Sequence, residues 1–132
     1  MTRILFALAL VAVASSATAQ PPECVLPATN PVNPTTVCFT VGIDHQSGFT
    51  FLLDLYDATD MFVQTISMGA LDPDADGWVV WPSLNVMPTA FGTDYRARIR
   101  AVSLGSVESA ASDPSNTWDR RPGRPGGVAV IQ

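Results

Sequence analysis

From Thr36 onward the chain alternates apolar and polar residues in short runs, each cut off by glycine, proline, aspartate or asparagine. No stretch beyond residue 20 repeats its apolar positions at helical spacing. A chain patterned in this way buries one face of a strand, and many short strands divided by turn residues make a sandwich or a barrel. The runs predict strands at Thr36–Ile43, Phe49–Tyr56, Met61–Met68, Gly77–Trp81 and Tyr95–Val102, with a last one within Ser106–Ser112. In the second of these, Phe49, Phe51, Leu53 and Leu55 share one face. In Tyr95–Val102 the residues Tyr95, Ala97, Ile99 and Ala101 point inward, and Arg96, Arg98 and Arg100 line the outside. The fold class is therefore all-β, an antiparallel sandwich of about seven strands.

Ahead of the strands, Arg3 is followed by an uncharged apolar run, Ile4–Ala14, and then by Ala17-Thr18-Ala19. A positive start, a short apolar core and a small-x-small site form a secretory signal, with cleavage expected after Ala19. The run is too short to span a bilayer, which takes about 20 residues, so no membrane insertion is expected once the signal is removed. Residues 20–35 form a proline-rich lead-in, with Pro21, Pro22, Pro27, Pro31 and Pro34 excluding helix. In an oxidising compartment Cys24 and Cys38 are expected to pair. The loop closed by that bond is worth roughly 3 kcal/mol in a chain-entropy account.

Without the signal the chain carries 12 acids against 6 basic residues, all of them arginine. The acidic excess argues against nucleic acid, which needs a basic face to neutralise phosphate, and against anionic membrane surfaces. The balance reverses in residues 117–132, where Asp119 faces Arg120, Arg121 and Arg124. These residues are expected to lie outside the sandwich as a basic Pro/Gly-rich tail. They end in the apolar run Val128–Ile131, a candidate for self-association by strand addition.

Thr93-Asp94-Tyr95-Arg96-Ala97-Arg98-Ile99-Arg100-Ala101-Val102, with Gly105, Ser109, Ser112 and Pro114-Ser115-Asn116 after it, resembles the last two strands of a fibronectin type III domain. The resemblance covers about residues 36–116. It implies that Tyr95 forms a tyrosine corner, its hydroxyl tied back to the backbone upstream, and that the domain is a binding or spacer module. A related immunoglobulin-like sandwich stays open. Thr36–Ile43 lacks the family's tryptophan, tryptophans stand at Trp78 and Trp81, and the cysteine pair is not a family feature.

Asp72-Pro73-Asp74-Ala75-Asp76-Gly77 matches the first half of a calcium loop, in which alternate aspartates converge on a hard cation. Ser83 stands where the closing glutamate belongs, so calcium competes with a plain acidic turn at Asp72, Asp74 and Asp76. His45, the one histidine, sits near Asp44 and Ser47 on a short connection and reads as a solvated loop residue rather than a catalytic base. Asp54, Asp57 and Asp60 read as a polar strand face and turn rather than a paired-carboxylate site. Arg96, Arg98 and Arg100 suit an anionic polymer or cross-strand pairing with Asp54. Trp78 and Trp81, three apart on one strand, should face opposite sides, one buried and one available to stack on sugar or peptide.

These features point to a secreted, extracellular or periplasmic, non-catalytic module for binding, adhesion or structure, with a protein or carbohydrate ligand. Three other readings compete with it: a calcium-dependent carbohydrate-binding accessory protein, a subunit of an extracellular or virion assembly, and a small hydrolase.

Overall fold

The computed structural model describes residues 20–84, 90–127 and 129–131; the expected signal, residues 1–19, lies outside them. After a 3-10 turn at Pro22–Cys24 come β1 (Val37–Thr40), β2 (Thr50–Tyr56), β3 (Phe62–Ala70), β4 (Trp78–Trp81), β5 (Gly92–Val102) and β6 (Trp118–Arg120). They form two sheets, β1-β4 and β3-β2-β5-β6, in which neighbouring strands run antiparallel. The fold class read from the alternation is the observed one. No helix among the described residues is long and apolar enough to cross a membrane.

The core forms where the inward faces meet. Phe51, Leu53 and Leu55 of β2, Ile66 and Met68 of β3, Tyr95 and Ala97 of β5 and Trp118 of β6 bury against Trp81 and Leu84, with Val37 and Phe39 of β1 at the margin. Each large apolar side chain removed from water contributes about 1.5–3 kcal/mol, which makes β2 the stabilising centre of the larger sheet. Two bulges in the β2–β3 ladder add residues to β3, whose Ile66 and Met68, two apart, both turn inward.

At the start of β5 the hydroxyl of Tyr95 donates to the carbonyl of Ala90 at 3.0 Å, the geometry of a tyrosine corner. The ring folds back over Gly92. A Cβ there would lie 2.7 Å from the hydroxyl oxygen, so only glycine admits the corner. Tyr95→Phe leaves the Ala90 carbonyl without that donor and should lower stability by about 1–2 kcal/mol. A thermal melt indistinguishable from the parent would show that the bond contributes nothing.

The last strand is not where the alternation placed it. Residues 106–116 form no ladder strand; they hang on β5 through three serines. Ser109, Ser112 and Ser115 each donate their backbone N–H to Ala101, Ile99 and Ala97, at 2.8–2.9 Å. Each Oγ accepts the N–H of the same β5 residue at 2.9 Å. A hydroxyl thus replaces the carbonyl that a strand would offer, and the segment advances three residues for every two of β5. The sheet resumes with β6, where Trp118 pairs with Tyr95 and Arg120 with Gly92. The basic tail therefore starts after Arg121 and not at 117.

The lead-in is clasped as well as bonded. Cys24 and Cys38 are joined, with their Cα atoms 5.7 Å apart. Val32 bridges Asp119 in parallel, with Asn33 N–H donating to the Asp119 carbonyl and Asp119 N–H to that of Pro31. The side-chain amide of Asn33 then engages both backbone groups of Arg121, at 2.8 and 2.9 Å. The Asp119 carboxylate, buried at 5% exposure, gathers Asp94 N–H, the Arg121 guanidinium and Asn30 Nδ2. These donors, Asp94 N–H foremost, hold its pKa below the usual carboxylate range.

Candidate binding surface

The outer face of the four-stranded sheet carries the arginine stripe, and its three members have different surroundings. Arg100 forks onto Asp54, Nε to Oδ2 at 2.6 Å and Nη2 to Oδ1 at 2.8 Å, while Nη1 reaches Glu108 at 2.8 Å. Thr65 Oγ1 donates to the same Asp54 carboxylate at 2.7 Å. Asp54 thus sits on an outer face and is still buried, covered by Arg100 and Thr65. The Arg100 guanidinium, followed by the Thr65 hydroxyl, pulls the Asp54 carboxyl below its ordinary range, and Asp54 in turn raises Arg100. Arg98 lies over the Tyr56 ring, 5.8 Å from its centre, and donates to the Ser112 carbonyl. Arg96 stays exposed.

Register across the strands sets Phe62, Tyr56 and Arg96 in one row. The Tyr56 and Phe62 rings meet edge-on at 6.0 Å, and Phe62 is 57% exposed, next to exposed Met61. Arginine and aromatic side chains in an exposed cluster are the residue types that anchor protein interfaces. Arg96 and Arg98 add a positive end to an apolar row, and Arg100, turned onto Asp54 and Glu108, stands apart from it.

The two tryptophans divide as the spacing predicts. Trp81 is buried in the core, and Trp78 is half-buried on the other face of β4. Trp78 lines a cleft of about 520 Å³ between the lead-in and the two sheets, together with Cys24, Val37, Leu84 and Trp118. Its Nε1 is buried and has no acceptor among the described residues.

The structure does not converge the calcium residues. Asp74 turns its carboxylate onto the N–H groups of Asp76 and Trp78, at 2.9 and 3.0 Å, and Asp72 points to His45 Nε2 at 3.4 Å. Among the described residues no group of three or more acids, histidines or cysteines is placed to hold a metal. The loop is an aspartate-capped turn. His45 is also not a solvated loop residue: its side chain is 10% exposed, stacked on Phe51 at 5.8 Å and edge-on to Phe49 at 5.5 Å. It extends the core, with Asp72 as the one hydrogen-bond partner of its side chain among the described residues. Asp57 is tied into its own turn by Thr59 and Met61, and the Thr59 hydroxyl first of all keeps its pKa low.

Comparison with protein-family models, with curated proteins and with solved structures finds no match.

Reading the sequence missed Trp118 and Asp119. The signal was present, because a lone tryptophan in a polar segment is usually removed from water, but three arginines and the glycines that follow obscured it. The Phe62–Tyr56–Arg96 row depends on register, which no local pattern specifies.

Proposed function

We propose that the chain is exported and works outside the cytoplasm as a non-catalytic fibronectin type III-like module that binds a protein or carbohydrate ligand. The observation that carries this reading is the Tyr95 hydroxyl bonded to Ala90 over Gly92, at the head of a strand that lies between β2 and β6 in the larger sheet. The Cys24–Cys38 bond supports the oxidising compartment. The exposed Phe62–Tyr56–Arg96 row offers the ligand an apolar face with a cation at its end. For catalysis the residues are poorly disposed. His45 is wedged between phenylalanines, and Asp54 is neutralised by Arg100.

Expression of residues 1–132 with its own leader should yield a chain outside the cytoplasm that begins at Gln20 and does not alkylate without reductant. Arg96→Ala should then abolish capture of the partner identified by crosslinking in the native host, without moving the melting temperature. A chain that stays in the cytoplasm with residues 1–19 attached and both thiols free would overturn the reading.

A further inference from the structure

The fold provides for nearly every arginine among the described residues. Arg100 and Arg121 hold carboxylates, Arg98 has the Tyr56 ring and the Ser112 carbonyl, and Arg96 and Arg124 are exposed to water. Arg120 has none of these. It is half-buried, and its Nε is closed off from solvent without an acceptor among the described residues. All 12 acids of the chain lie among the described residues, and none of them pairs with it. Its chain neighbour Asp119 is taken by Arg121, Asn30 and Asp94 N–H, and the Asp94 carboxylate by Asn30. A cation withdrawn from water without a counter-charge costs stability. Breaches of that kind concentrate where a ligand completes the site.

Arg120 also stands at a recess. With Arg121, Pro122, Phe91, Gly92 and Thr93 it walls a volume of about 500 Å³, within the range of small-ligand sites. Both walls are pinned. The Tyr95 hydroxyl ties down Ala90 on one side, and the Asn33 side-chain amide grips the backbone of Arg121 on the other. Phe91 is 64% exposed, and no acid lines the recess. Arg121 gives Nε and Nη2 to Asp119, which leaves its Nη1 as a second donor without an acceptor among the described residues.

We propose that this recess binds a small organic carboxylate, its anionic group on Arg120 and the body that carries it against Phe91. A planar guanidinium takes a carboxylate in a fork. The acidic excess of the rest of the molecule disfavours ligands bearing several negative charges, and the Phe91 ring gives an apolar wall that a bare inorganic ion would leave unused. The site shares no residue with the Phe62–Tyr56–Arg96 row. It adds a second ligand to the module, and neither reading needs the other.

Titration of isotope-labelled, oxidised residues 20–132, followed by nuclear magnetic resonance, tests the site. The probes are benzoate and glucuronate, a carboxylate on an aromatic ring and one on a sugar ring, with benzyl alcohol and glucose as uncharged counterparts and sulfate as the bare anion. At least one of the two acids should bind saturably and shift the backbone amides of Phe91, Gly92 and Thr93 and the Nε–H of Arg120. The acid that binds identifies the body the recess prefers. Arg120→Gln should weaken that binding at least about tenfold and melt no lower than the parent, because the charge has no partner in the fold to lose. Phe91→Ala, at an exposed position, should weaken it too, and Arg124→Gln should leave it unchanged. No saturable binding of either acid, equal binding of sulfate or of the uncharged counterparts, or full affinity in Arg120→Gln or Phe91→Ala overturns the site. Export and the disulfide are untouched by that result, so the module reading fails or stands separately.

Discussion

Ending the chain after Asn116 is expected to leave it unfolded, whereas ending it after Arg121 should leave the thermal melt of the monomer almost unchanged. The five residues between these cuts contain Trp118, which is 8% exposed and packed on Tyr95 with ring centres 6.2 Å apart. Removing a buried tryptophan costs about 3–5 kcal/mol, already a large part of the roughly 5–15 kcal/mol by which a domain is stable. The shorter cut also removes the Asp119 carboxylate, so Asp94 N–H and Asn30 lose their shared acceptor. The single change Trp118→Ala isolates the packing contribution and should lower the melting temperature by on the order of 15 °C. Circular dichroism and thermal melts of the three proteins decide the matter. A chain ending at Asn116 that melts with the parent would show that β6 is dispensable.

The second large effect is expected at Asp54. Asp54→Asn keeps the side chain's shape and removes its charge, leaving Arg100 partly desolvated with Glu108 as its remaining acid partner. Removing one partner of a fully buried pair costs about 3–5 kcal/mol, and since solvent reaches part of Arg100 a loss of about 2–3 kcal/mol is expected. The same carboxylate sets a pH dependence. Its pKa in the folded state lies below the ordinary 3.8, so the unfolded chain takes up a proton first as the pH falls. The stability it supplies is complete above the unfolded value and is lost as the pH drops through the folded one. Melting temperature measured from about pH 7 to pH 2 should fall in the acid range for the parent and fall less steeply for Asp54→Asn. Asp57 and Asp119, lowered in the same direction, keep part of the slope. Parallel curves for the two proteins would rule out Asp54 as a source of the acid sensitivity.

What could be read from the chain follows the range of the interactions involved. β2 and β5 were legible because period-two alternation is a local property, and Leu53, Leu55, Tyr95 and Ala97 bury as that pattern demands. β6 was not, since three residues are too few to show a period and the arginines and glycines after them resemble a tail. The serine segment looked like a strand because its residues suit one; only the structure shows Oγ atoms standing in for carbonyls. His45 was misplaced for a different reason. Its loop is polar in sequence, but Phe49 and Phe51 lie close enough in the fold to cover its ring. At the candidate surface the arginine stripe was visible as alternation, while its division into a paired Arg100, a stacked Arg98 and an exposed Arg96 depends on neighbours up to 46 residues away.

The clasp between lead-in and β6 also bears on when the domain can close. Asn30 and Asn33 meet Asp119 and Arg121 across 88–89 residues, so a chain emerging from its N-terminal end holds the first half of the clasp without the second until all the residues between have been made. Trp118 reaches the core in the same late interval. Until those residues emerge, the half-built sandwich is short of a buried ring and its β6-side strand, and contacts of such long separation form slowly. The sandwich therefore closes only after every strand between the two halves of the clasp has been made.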